Sequence, residues 1–218
     1  MASEPEAATP TAADRPRPDG GDIRKMTAAE IQPVARALAE AFYDDPHFRW
    51  FVPADAMRLH RLERGFSTFV GRVWLPQDEA YTHEQLIGTA LWMPPNTWHI
   101  APLAQLRLLP AVVRDLRSGS LRLLKALTFI EKKHPREPAH WYLPAIGVAP
   151  AWQGRGYGAA LLRPALQRCD SERVPAYLEA STPRNRALYE RNGFETIEES
   201  RYAAHGPPLW RMWREPNA

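Results

Sequence analysis

No stretch of this chain limits its fold as much as Gln153-Gly154-Arg155-Gly156-Tyr157-Gly158. It follows an apolar strand pattern from His140 to Val148 and opens an apolar-periodic segment that runs to Cys169. Three glycines alternating over five residues leave backbone N–H groups unshielded, and the helix N-terminus behind them adds partial positive charge. A strand, a glycine turn and a helix in that order are shaped to hold a phosphate or pyrophosphate.

Spacing separates the possible phosphate loops. An ATP-type loop needs GxxxxGK followed by Ser or Thr, and no Lys-Ser or Lys-Thr follows any glycine here. Gly154-x-Gly156-x-x-Ala159 does satisfy the dinucleotide fingerprint, with Glu179 lying about 20 residues on, where the ribose-binding acid of that fold would sit. The rest of the chain opposes that reading. After Glu179 only one helix-like segment, Pro183 to Asn192, and two short strand-like runs remain, too few for a doubly wound sheet.

Composition narrows the class. With 44% hydrophobic residues in 218, the chain can bury one substantial core, and a single domain is expected over residues 21–218. The 28 basic residues nearly balance the 25 acidic ones, and no block of like charge stands out, so nucleic acid is not an expected partner. Cys169 is the only cysteine, which excludes an intramolecular disulfide and suits a reducing, cytoplasmic setting. No apolar run approaches the roughly 18 residues of a membrane span, so no membrane partner is expected. Residues 1–20 hold Pro5, Pro10, Pro16 and Pro18 and too little apolar surface to offset ordering, which predicts a disordered tail without a signal peptide's apolar stretch. The seven histidines show no metal-site spacing, so no metal is expected.

Periodicity outlines the elements. Asp22 to Met26 reads as a strand, and Thr27 with Glu30 as a capping box opening a helix to about Phe42, with Ile31, Val34, Ala35, Leu38 and Phe42 on its buried stripe. Tyr43-Asp44-Asp45-Pro46 ends it. A second helix is predicted over Ala54 to about Val73, then a hairpin of Glu79–His83 and Leu86–Met93. The Leu- and Arg-rich segment from Ala101 to Lys133, broken at Pro110 and at Ser118-Gly119-Ser120, predicts two or three short helices. They would cover the sheet, roof a pocket or form a dimer surface. A strand over Ala176–Ala180, a helix from Pro183 capped by Ser181 or Thr182, and strands at Phe194–Tyr202 and Leu209–Arg214 close the chain. Pro164 should cost the helix after the glycine loop a hydrogen bond and kink it. Cys169 falls on that helix's apolar stripe and reads as core.

Val148, the Gln153-x-x-Gly156-x-Gly158 loop, Leu178-Glu179-Ala180-Ser181, Asn185 and Leu188-Tyr189-Glu190-Arg191-Asn192-Gly193-Phe194 together resemble the GCN5-related N-acetyltransferases, the GNAT superfamily. Residues 136 to 214 carry the strong resemblance, and look most like the puromycin N-acetyltransferase-like members; residues 22 to 95 carry a weaker one. The resemblance implies an α/β (α+β) fold: a central mixed, mostly antiparallel sheet of six to seven strands flanked by helices, with a helical insertion over about residues 96–135 between strands 3 and 4. It implies acetyl-coenzyme A as cosubstrate, its pyrophosphate on Gln153, Gly154, Arg155, Gly156, Tyr157, Gly158 and Ala159. The pantetheine arm would lie along the free edge at Ile146, Gly147 and Val148. Pro144 departs from the pattern, though a proline is tolerable beside a bulge or an unpaired strand edge.

Amine acetylation needs a base for an ammonium whose pKa is near 10.4 and an acid for the departing thiolate. Tyr189 lies four residues after Asn185 on one helical face, and the resemblance gives both to the cofactor, with Tyr189 as the acid. On a period-two strand Glu179 shares a face with Tyr177 and Ser181; a desolvated carboxylate there would serve as base, or equally as a structural partner for an arginine. Phe42, Tyr43, Asp44, Asp45 and Trp50 match the family's acceptor-side loop, where two acids would attract a cationic amine. The expected reaction is direct transfer in a ternary complex to the primary amine of a small molecule, such as an aminoacyl-nucleoside antibiotic or a related metabolite, by a monomer or homodimer; the alternatives are acetylation of a protein or peptide amine, and an acyl-coenzyme A sensor without turnover.

Overall fold

The computed structural model describes residues 22–217; the tail expected over residues 1–20 lies outside them. Seven strands form one sheet in the order β1-β2-β3-β4-β5-β7-β6: β1 (Ile23–Lys25), β2 (Ala80–His83), β3 (Gly88–Met93), β4 (Trp141–Val148), β5 (Ala176–Ala180), β6 (Glu195–Arg201) and β7 (Pro208–Arg214). Every neighbouring pair is antiparallel except β4 and β5, which run parallel. The helices are α1 (Ile31–Ala41), α2 (Pro46–Phe51), α3 (Arg58–Phe69), α4 (Pro102–Leu116), α5 (Ser120–Lys133), α6 (Tyr157–Glu172) and α7 (Pro183–Glu190). This is the mixed α/β arrangement expected.

Local chemistry sets the first helix. The Thr27 amide donates to Glu30 at 2.8 Å, completing the capping box, and Arg24 pairs with the same carboxylate at 2.5 Å. Arg24 first, then the Thr27 amide, hold the Glu30 carboxyl down to about 2. Val34, Ala35 and Leu38 then bury completely against the sheet. Asp45-Pro46 ends this helix as expected and at once opens α2, which periodicity did not anticipate. Asp45 Oδ1 accepts from the His47 and Phe48 amides at 2.9 and 3.4 Å, and Pro46 takes the first position, where a missing N–H costs nothing.

Other boundaries moved for tertiary reasons. The helix expected from Ala54 starts at Arg58, because Asp55 turns back to accept from the Met57 amide and to pair with Arg61 at 2.6 Å. It continues into a π-helical turn, Val70–Trp74. Pro110 does not break α4, and α6 continues through Pro164. Each proline removes one hydrogen bond, and burial of Leu108 and Val112, or of Leu161, Leu162 and Ala165, holds the helix across the gap.

Two apolar cores flank the sheet. One joins α6 and Tyr189 of α7 to strand residues such as Trp92, Trp141 and Leu178; the other joins α1, α2 and α3 with Ala126 of α5 to Leu91 and Ala145. Cys169 lies fully buried in the first, where desolvation pushes its thiol up to about 12.

Strand β4 changes phase at its centre. Trp141 and Leu143 face the α6 side, yet Ala145 faces the other side and Ile146 and Val148 return to the first. The ladder to β3 records the same extra residue, pairing Leu91 with Ala145 but Met93 with Tyr142. Pro144 sits inside this bulge, where its missing donor breaks no ladder bond.

Candidate active site

The bulge opens the sheet. β4 pairs with β5 only through Trp141, Tyr142 and Leu143, and beyond Leu178 strand β5 pairs with β7 alone. The β5-facing edge of residues 145–148, including Ile146, Gly147 and Val148, is therefore left without a strand partner. A Cβ on Gly147 would come within 2.9 Å of Leu38 and 3.0 Å of Ala41, so a side chain there would push α1 off the strand.

At the end of that edge the glycine loop turns. Gly154 and Gly156 adopt φ of +77° and +93°, backbone that a side chain would strain. Gly156 occupies the N-cap of α6 with no side-chain cap, so the first-turn N–H groups of Tyr157, Gly158 and Ala159 have no side-chain partner. A Cβ on Gly158 would lie 3.0 Å from Leu188, which brings α7 close to this turn. Gln153 anchors the loop, donating to the Val148 carbonyl at 2.9 Å and accepting from Arg184 at 3.0 Å. Arg155 lies over Trp152 at 5.3 Å, and the Tyr157 ring is buried edge-on to His83 and Trp152, so Tyr157 offers its backbone only. A pyrophosphate with a pantetheine-like arm fits this combination of open amides, two nearby guanidinium groups and an unpaired strand edge.

A cavity of about 390 Å³ adjoins the opening. Glu179 lines it from the face of β5 opposite α6, while Tyr189 and Asn185 of α7, on the α6 side, line it too. The cavity therefore passes through the gap between the parted strands. Phe42, Phe48, Phe66, Trp74 and Trp98, together with the inner sides of α4 and α5, make most of its wall apolar.

Glu179 accepts from the Tyr142 hydroxyl at 2.8 Å, and its Oε1 is buried without a partner among the described residues. Burial raises its carboxyl to about 7, against the opposing pull of the Tyr142 and Tyr177 hydroxyls and Arg211. Arg211 itself donates to the Tyr177 hydroxyl at 3.0 Å and pairs with Glu198, so Glu179 is not neutralised by a direct ion pair. Burial also pushes the Tyr189 phenol well above its ordinary value, keeping it protonated at neutral pH.

A second polar chain enters the cavity. The Ser181 hydroxyl donates to Asp45 Oδ2 at 2.5 Å and accepts from Asn185 Nδ2 at 3.2 Å, tying α2, the end of β5 and α7 together. His47 bonds the Pro208 carbonyl at 2.9 Å through Nε2, and burial lowers its pKa.

Of the acceptor-side residues expected, Phe42 and Asp45 line the cavity. Tyr43 and Asp44 are exposed, and Trp50 packs on Tyr202 and beneath Arg122, away from the cavity wall. Ser181, Tyr142, His47 and Tyr202 were missed as site residues, whereas the 101–133 segment, for which a pocket roof was one of three expectations, does line the cavity. Only Ser181 carried a usable signal, since it shares the Glu179 face of β5. Among the described residues no group of three His, Cys, Asp or Glu is placed to hold a metal ion.

A family model for the acetyltransferase (GNAT) family matches residues 35–194. An uncharacterised N-acetyltransferase of Schizosaccharomyces pombe is 26% identical across 88% of this chain and 83% of its own. Among solved structures, a histone acetyltransferase HPA2 and related acetyltransferase from Corynebacterium glutamicum superposes with a TM-score of 0.67 at 23% identity, over 90% of this chain and 96% of that one. The polyamine N-acetyltransferase of Drosophila melanogaster, which catalyses formation of N-acetylagmatine, gives 0.58 at 16%, over 88% and 98%. Because this family model spans residues 35–194, most of the chain, the protein belongs to the GNAT acetyltransferases, enzymes that take their acyl group from acetyl-coenzyme A.

Proposed function

We propose that the protein transfers an acetyl group from acetyl-coenzyme A to the primary amine of a small molecule with an apolar or aromatic body, by direct attack in a ternary complex. The observation that carries this reading is the meeting of Glu179 and Tyr189, from opposite faces of the sheet, in one aromatic-walled cavity beside the unpaired edge of β4. The cofactor supplies the acetyl thioester. The loop amides of residues 154–159 with Arg155 and Arg184 hold its phosphates, the edge at Ile146, Gly147 and Val148 takes its arm, and a backbone N–H near Val148 meets the carbonyl oxygen.

Glu179 takes the proton of the acceptor's ammonium. A carboxyl near 7 is largely ionised just above neutrality and still basic enough to accept that proton. The freed amine forms the new N–C bond as the C–S bond breaks. Tyr189 would give its phenolic proton to the departing sulfur and recover one from the new amide nitrogen, which must shed its second proton; its place on the Asn185 face of α7 puts both side chains at the cavity. Asp45 holds α2 and Ser181 in place, and its charge favours a cation in the cavity.

The walls favour a compact acceptor over a protein tail, because α4 and α5 roof the cavity and contribute Leu108, Val112, Leu123 and Leu127 to it. An aminoacyl-nucleoside antibiotic such as puromycin, with its aromatic amino acid, is the first acceptor to try, in keeping with the sequence resemblance. A thiol-release assay over aryl, alkyl and polyamine acceptors tests the reading. Turnover on amines with an apolar body supports it. A protein that binds acetyl-coenzyme A by calorimetry and releases no thiol with any amine is instead a sensor.

A further inference from the structure

The helical insertion carries most of the large hydrophobic side chains exposed among the described residues. Of ten large hydrophobic side chains exposed among the described residues, seven lie on α4 and α5, led by Leu121 at 70%, Leu106 at 63% and Leu103 at 59%. Leu103, Leu106 and Val113 stand at i, i+3 and i+10 and share one outward stripe of α4, as Leu121 and Leu124 do on α5. A patch concentrated on one pair of helices marks a contact surface.

Charge narrows what the contact is. Residues 102–133 hold seven basic residues against two acidic, a local excess of five in a chain whose net charge is +3. Both acids already have partners. Asp115 is buried and taken by Arg64 and Arg114, and Glu131 faces His99 at 3.1 Å. Arg107, Arg117, Arg122 and Lys125 are exposed among the leucines. A second copy docking through the same face would set these cations against one another, with only Glu131, itself beside His99, left on the face to offset them.

We propose that the outer face of α4 and α5 docks on an anionic lipid surface, its leucines entering the interface while its arginines and Lys125 meet the headgroups. Among the described residues no helix is long and apolar enough to cross a membrane, so the contact proposed is one made along the bilayer surface. Apolar side chains more than half exposed, interleaved with cations whose stems can follow them, suit a planar interface better than a protein groove. The apolar surface is also continuous with the cavity, because Leu109, Leu124 and Leu127 are exposed and line it as well.

Sedimentation of the full chain with vesicles tests this. The protein should pellet with phosphatidylcholine mixed with phosphatidylglycerol and stay in solution with phosphatidylcholine alone, and added salt should weaken the binding. Leu106→Glu with Leu121→Glu should lower the partition about 100-fold, and Arg107→Glu with Lys125→Glu about tenfold. None of these four side chains lines the cavity, so acetyl-coenzyme A affinity should be unchanged in both variants. No partition into the mixed vesicles, equal partition into neutral ones, or binding that survives both double substitutions overturns the proposal. A dimer in light scattering that the leucine pair splits, without vesicle binding, assigns the face to a second copy instead.

Discussion

The Tyr142 hydroxyl donates to Glu179 Oε2 at 2.8 Å, joining β4 to β5 at the point where the two strands part. Burial nevertheless dominates and holds the carboxyl near 7. If Glu179 is the base, kcat/KM should rise with pH through about 7, as the carboxyl ionises. Glu179→Gln should lower kcat/KM by about 10²–10³-fold and abolish that limb. A pH–rate profile checks this, and an unchanged limb in the variant would remove Glu179 from the role.

The same burial makes Glu179 costly to the fold. Its folded pKa of about 7 lies above the ordinary value of 4.5, so below that value the group is protonated in both states and costs nothing. Between about 4.5 and about 7 the unfolded chain has released a proton that the folded chain still holds, so stability falls across that range, and the loss is complete once pH has risen through about 7. Glu179→Gln should therefore be more stable than the parent at pH about 8, by on the order of 2 kcal/mol, and nearly equal near pH 4. Urea unfolding at the two pH values measures it.

Tyr189→Phe keeps the buried ring and its edge-on contact with Phe194 while removing the proton donor. We expect kcat to fall about 10²-fold, with the dissociation constant for acetyl-coenzyme A changing little. Single-turnover kinetics with a calorimetric titration separate the two. A fully active variant would transfer the acid role elsewhere.

Gly156→Ala forces a side chain into φ +93° at the N-cap of α6. Strain of about 1–2 kcal/mol should move the loop, weakening acetyl-coenzyme A binding about tenfold with a small loss of thermal stability.

Asp45 caps α2 through Oδ1 and takes the Ser181 hydroxyl through Oδ2. Asp45→Ala should cost about 1–2 kcal/mol of stability by denaturant unfolding. Asp45→Asn keeps a cap oxygen and should recover most of that, yet still bind a cationic amine more weakly. Equal amine affinity in the aspartate and asparagine forms would show that its charge plays no part.

The strand–glycine turn–helix of residues 140–170 was legible because its causes are local: φ above zero at Gly154 and Gly156, and an apolar period that switches at Tyr157. The Thr27–Glu30 box was legible for the same reason, as was a cap for α7 at Ser181 or Thr182, which the structure assigns to Thr182; each joins groups three residues apart. Tyr142 and His47 were not. Their positions at the cavity depend on residues far along the chain, Glu179 for Tyr142 and Pro208 for His47, and no local period reports such pairs. Asp45 was legible as a turn residue but not as the start of α2, because a six-residue helix is too short to show a period.

By itself the sequence determined the proposed grip, where backbone amides would be bare and which helix would back them, and it marked Glu179 and Tyr189 as candidates. It also placed Pro144 where a donor could be spared. The tertiary structure alone decided what that grip faces. The one-residue bulge at Pro144 reversed the phase of β4 and parted it from β5, so that a carboxylate on one face and a phenol on the other reach a single cavity. The roof over that cavity, α4 and α5, was written in the sequence only as two amphipathic stripes. Burying one side of each against the cavity and leaving the other to solvent is a property of packing, because helical periodicity records that faces differ and not what each face meets.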